Sequence, residues 1–138
     1  MKSIFLLIIF LGIATIYPGC KDKNIISQEA TLSGAWKLKN VSGGLAGINI
    51  DYNEGDVYWT FNMNNGKLEV INNIETTGPE DIYSGFETGT YNFVVNLDGN
   101  EDVLYVNGQK IGVITISKDK LLIDQGVPVD GFMTEFAR

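Results

Sequence analysis

The chain has 138 residues, 44% of them apolar and 20% charged, with a formal net charge of −7, no histidine and one cysteine. That inventory excludes an intrachain disulfide, a histidine general base and histidine ligation of zinc. The acidic balance disfavours nucleic acid and anionic lipid headgroups, both of which carry negative charge.

The chain opens with Lys2, followed by a predominantly apolar run of thirteen residues from Ile4 to Ile16. This run is too short to span a hydrocarbon core, which needs about 20 residues, and suits the h-region of a secretory signal peptide. Small Gly19 and the sole cysteine, Cys20, stand just behind it. The arrangement resembles a bacterial lipoprotein signal, although Tyr17 and Pro18 stand where such signals usually carry Leu and a small residue. The resemblance implies cleavage after residue 19, lipidation of Cys20 and a membrane anchor made of acyl chains. An ordinary cleaved signal with an incidental Cys20 is the alternative. The mature chain of 119 residues then suffices for one core. It loses Lys2, so its charge falls from −7 to −8. Residues 20–31 read as the lipidated cysteine and its tether. Lys21-Asp22-Lys23 resembles the charged signals that send some lipoproteins to the outer cell surface. The implied location is the bacterial cell envelope, at the outer membrane, either periplasmic or surface-exposed.

From residue 32 to 138 the sequence alternates apolar and polar residues, broken by Gly, Asn and Asp, with no helical period. Eight strands are predicted. They span about Gly34–Val41, Asp56–Met63, Lys67–Asn72, Thr88–Leu97, Asp102–Val106, Lys110–Ser117, Lys120–Asp124 and Gly131–Arg138. In the second, Val57, Trp59, Phe61 and Met63 share one face; in the fourth, Gly89, Tyr91, Phe93, Val95 and Leu97 do. Asn64-Asn65-Gly66, Asp98-Gly99-Asn100 and Asn107-Gly108 are turn signals. Short links imply antiparallel neighbours, and eight strands close into a small up-and-down barrel without exposed edges. A two-sheet sandwich is the rival. In the fifth and sixth strands both faces are apolar, so periodicity does not identify the inner one.

Gly34-Ala35-Trp36 lies on the first predicted strand and Arg138 on the last. A Gly-x-Trp and a distant Arg in these places resemble the signature of lipocalins, and residues 32–138 are similar to the lipocalin-like domains of bacterial lipoproteins. The resemblance implies that Trp36 plugs the closed end of the barrel and that Arg138 lies across it. An arginine over an indole face is favourable on its own account, by about 0.5–2 kcal/mol.

If Trp36 marks the closed end, parity puts Ser42–Gly55, Asn73–Glu87 and Gln125–Asp130 together at the open end. Long links in a small domain are binding loops, lids or mobile segments. Ser42–Gly55 holds Gly43, Gly44 and Gly47 beside Leu45, Ile48, Ile50 and Tyr52. It reads either as a lid over an apolar cavity or as a permanent plug. Asn73–Glu87, with Ile74, Ile82, Tyr83 and Phe86, allows the same two readings.

Catalytic motifs are few. Lipidation would consume Cys20, no Gly-x-Ser-x-Gly elbow occurs, and Gly43-Gly44-x-x-Gly47 lacks the Lys-Ser/Thr of a phosphate loop. Asp98–Asp102 imitates the start of a calcium loop but has Val103 and Gln109 where the loop needs Gly and Glu. The carboxylates Asp51, Glu54 and Asp56, and Glu80 with Asp81, read as solvation. The expectation is a non-enzymatic binding module with no cofactor and no metal, anchored to a membrane and holding a small apolar or amphipathic molecule. Candidate lining residues are Trp59, Phe61, Tyr91, Phe93 and Phe132, each of which, taken singly, reads first as core. The alternative is a solid barrel whose open-end loops bind an envelope protein or a glycan.

Overall fold

The computed structural model describes residues 31–138. The expected signal peptide, Cys20 and the tether up to residue 30 lie outside them. Nine strands follow in chain order: β1 (Gly34–Gly43), β2 (Ile48–Asp51), β3 (Val57–Asn62), β4 (Lys67–Asn72), β5 (Gly89–Asp98), β6 (Glu101–Val106), β7 (Gln109–Ile116), β8 (Lys120–Asp124) and β9 (Phe132–Ala137). A five-residue helix, α1 (Pro79–Tyr83), interrupts the link from β4 to β5. One 3-10 turn spans Val127–Val129.

Every strand pairs antiparallel with its neighbour, and β9 returns to pair with β1. β1 and β3 to β9 therefore form a closed eight-stranded barrel, as the alternation predicts, and the sandwich is excluded. The inward faces follow the period of two. In β3, Val57, Trp59 and Phe61 are buried while Tyr58, Thr60 and Asn62 are not. Leu68 and Val70 of β4, Leu121 and Ile123 of β8, and Thr134 and Phe136 of β9 face the same interior. Burying an aliphatic or aromatic side chain of this size contributes about 1.5–3 kcal/mol. With no disulfide available, this core is the main source of stability.

The ninth strand lies within the predicted Ser42–Gly55 loop. β1 runs on to Gly43, turns, and returns as β2, so Asn40 to Gly43 pair with β2 on one edge and β9 on the other. The first part of β1, Gly34 to Lys37, pairs with β3. Where β1 changes partner, its register with β9 shifts between Leu38 and Asn40. The shift lets Val41 follow Trp36 and Leu38 into the core. Leu45 at the tip of this segment is exposed, while Ile50 and Tyr52 pack against the interior.

A second irregularity settles β6 and β7. Their register shifts between Leu104 and Tyr105, which leaves Ile111 as the extra residue of β7. Ile111, Ile114 and Ile116 all reach the core from one strand. Asn107 and Gly108 join the two strands with φ of 49° and 80°, the left-handed values a two-residue hairpin turn needs. Two expected inward residues lie outside. Met63 falls in the turn after β3, and Leu97 lies where β5 has outrun β4, whose pairing with β5 ends at Asn92. Neither has a facing wall.

The Trp36 end is sealed. The Trp36 indole N–H donates to the Leu32 carbonyl at 2.8 Å. The Arg138 guanidinium carbon stands 4.1 Å from the Trp36 ring centroid. Its Nη2 donates to the Ser33 carbonyl at 3.0 Å and also to that of Thr31.

Candidate functional site

Opposite the seal, the interior opens into a pocket of about 330 Å³. Its inner wall comes from the barrel: Val41 of β1, Trp59 of β3, Ile111 of β7, Ile123 of β8, and Phe132 and Thr134 of β9. Its outer wall comes from the long link after β4, through Ile82, Tyr83, Ser84, Gly85 and Phe86, with Gln125 at the side.

The polar residues at the end of β4 hold that link in place. The Asn72 side-chain amide donates to Ser84 Oγ at 2.8 Å and to the Phe86 carbonyl at 3.2 Å, and its oxygen accepts from the Ile74 N–H. Ser84 Oγ in turn donates to the Asp81 carbonyl at 2.8 Å. Thr88 Oγ1 accepts from the Asn72 N–H and donates to the Asn72 carbonyl. From the other side, Tyr52 OH donates to the Glu80 carbonyl at 2.9 Å. The Tyr52 hydroxyl is pushed up to about 12, first by burial and then by the charges of Glu80, Asp56 and Asp81. It remains a donor through the physiological range.

Aromatic contacts then run from the core to the mouth. Trp59 rests on Phe136, with centroids 4.9 Å apart, and meets Phe86 at 5.3 Å. Phe86 stacks against Tyr91 at 4.9 Å, and Tyr83 packs on Phe132 at 5.2 Å. Asn73–Glu87 thus covers part of the opening without filling it.

Of the five aromatic candidates, Trp59 and Phe132 line the pocket. Phe61 and Phe93 pack edge to face at 5.0 Å, deeper in the core. Tyr91 supports Phe86 from behind, and its hydroxyl donates to the Glu87 carbonyl. Gly34, Trp36 and Arg138 lie at the sealed end, away from the pocket. Asn72, Ser84, Gln125 and Thr134 had no signal in the alternation, because a polar residue that faces inward looks like one that faces out.

The pocket's chemistry is sparse. None of its lining residues carries a charge. Ser84 Oγ is committed to the Asn72 amide at the end of β4 and to the Asp81 carbonyl within the link. Gln125 Nε2 donates weakly to Thr134 Oγ1 at 3.4 Å. Trp59 Nε1 is buried and has no acceptor among the described residues. Those residues also contain no group of three acidic or cysteine side chains placed to hold a metal ion. The arrangement suits retention of a neutral, largely apolar molecule. Around the mouth stand exposed apolar residues: Leu45, Ile82 and Val129 are 89%, 71% and 80% exposed. Comparison with protein-family models, curated proteins and solved structures found no match.

Proposed function

We propose that this protein is a binding module of the bacterial cell envelope, lipid-anchored through Cys20, whose barrel holds a small apolar or amphipathic molecule. The open-end pocket carries this reading. A volume of about 330 Å³ falls at the small end of the ~300–1,000 Å³ range of ligand sites, and the lining is apolar and aromatic with a few polar groups, as such sites are. Taking about 30 Å³ per water-sized volume, it accommodates a body of roughly ten non-hydrogen atoms.

The anchoring half of the proposal rests on Lys2, the apolar run Ile4–Ile16 and the position of Cys20. Kinship with lipocalin-like lipoproteins rests on Gly34, Trp36 and Arg138. A tether leading into Leu32 joins the barrel at its sealed end, so the mouth faces away from the bilayer. Binding without catalysis accords with an uncharged lining.

A second reading draws on the exposed Leu45, Ile82 and Val129, which would suit contact with an envelope protein or a glycan. Native mass spectrometry of the protein, purified gently from its source, separates the two. A stoichiometric adduct of roughly 150 Da, the mass of about ten non-hydrogen atoms, supports the pocket; a clean apo mass, with a partner captured by the rim, supports the alternative. Incorporation of labelled fatty acid that is lost in Cys20→Ser tests the anchor.

A further inference from the structure

The two indoles of this protein differ in one respect. Trp36 Nε1 is satisfied within the fold by the Leu32 carbonyl. Trp59 Nε1 is equally withdrawn from water, its residue 4% exposed, yet has no acceptor among the described residues. A buried donor without a partner forfeits its hydration with nothing in return, and in a native protein such a group needs an explanation. Trp59 lines the pocket.

We propose, resting on the binding reading above, that the ligand is a neutral carbonyl compound with an apolar body, a ketone, aldehyde or ester, whose oxygen accepts a hydrogen bond from Trp59 Nε1. The indole N–H is only a donor, so the matching group is an acceptor. It is neutral because no cation lines the pocket, while Glu80 and Asp81 stand in the link that covers it. A carboxylate would be desolvated there with nothing to pair with. The covering segment packs closely against the indole edge at Gly85, which has no side chain to move aside. A Cβ on Gly85 would stand 3.2 Å from Trp59 Cζ2, on the same edge of the ring as Nε1. The ligand's oxygen reaches Nε1 by displacing the Gly85 segment from the indole edge, and its apolar body lies against Phe132, Ile111 and Val41.

Two probes of matched shape test this: butyrophenone, which has the oxygen, and n-butylbenzene, which lacks it. Binding is measured by calorimetry, and the two indole N–H resonances are followed in proton–nitrogen spectra. Butyrophenone is expected to bind about three- to tenfold more tightly, the range a single hydrogen bond supplies. It should shift the Trp59 indole resonance downfield and leave that of Trp36 in place. Trp59→Phe should abolish the preference, read as the ratio of the two probes' affinities, whatever it does to either affinity alone. Equal affinities, or a preference that leaves the Trp59 resonance unmoved, overturn the acceptor inference alone and leave a purely apolar site. If neither probe binds, the binding reading fails and the inference fails with it. Should Trp59→Phe not fold, the wild-type resonances decide.

Discussion

Tyr52→Phe removes a part-buried hydroxyl, on a residue 6% exposed, that ties the β2–β3 link to the covering segment through the Glu80 carbonyl. At pH 8 the loss of that hydrogen bond should cost about 1 kcal/mol. At high pH the sign reverses. The Tyr52 hydroxyl sits at about 12 in the folded protein, against an ordinary value of 10.0. Above pH 10 the unfolded chain releases this proton while the folded chain keeps it, so stability is fully present below pH 10 and falls as pH rises towards 12. The fall works out to about 1 kcal/mol by pH 11 and about 2 kcal/mol by pH 12. Tyr52→Phe lacks this term. Urea unfolding of both proteins between pH 8 and pH 12, followed by tryptophan fluorescence, should show curves that converge and cross near pH 11. The other tyrosines titrate in both proteins and cancel in the difference. Curves that stay parallel to pH 12 would refute the claim that this hydroxyl is held protonated by its surroundings.

Three further outcomes follow from the packing. Phe136→Ala removes a fully buried ring from beneath Trp59 and should cost about 3–5 kcal/mol in thermal or urea unfolding. A double-mutant cycle of Arg138→Gln with Trp36→Leu should give a coupling of about 0.5–1 kcal/mol; additivity would mean the stacked geometry contributes nothing. Gly85→Ala introduces a Cβ at a φ of +94° and 3.2 Å from Trp59. It should destabilise by about 1–2 kcal/mol and weaken ligand binding measured by titration, with the barrel's circular dichroism unchanged.

The barrel is legible in the sequence wherever one face meets the core and the other meets water. β3 shows it best, since Val57, Trp59 and Phe61 alternate with Tyr58, Thr60 and Asn62. Legibility fails where the backbone departs from a plain ladder. β2 is hidden because Ile48–Asp51 is short and follows a glycine-rich turn, so its residues look like loop. β7 looks two-faced because the extra residue Ile111 changes which side chains point inward. The pocket is partly legible. Trp59 and Phe132 stand out as aromatic residues on inward faces, yet so do Phe61 and Phe93, and only depth along the barrel separates them. The outer wall depends on contacts made by Asn72 with Ser84 and Phe86, across a link whose path no local pattern reports.

The closure of β1 against β9 also bears on how the chain comes to be folded. Lys37 pairs with Ala137, one hundred residues later. While the chain is being made, β1 presents an open edge and the apolar faces of Trp36, Leu38 and Val41 until the last strand arrives. Contacts of such long sequence separation form slowly, and an unpaired edge invites pairing with other chains. The barrel is therefore most exposed to misassembly in the interval before Phe136 joins the core, and a holding factor would act on that interval.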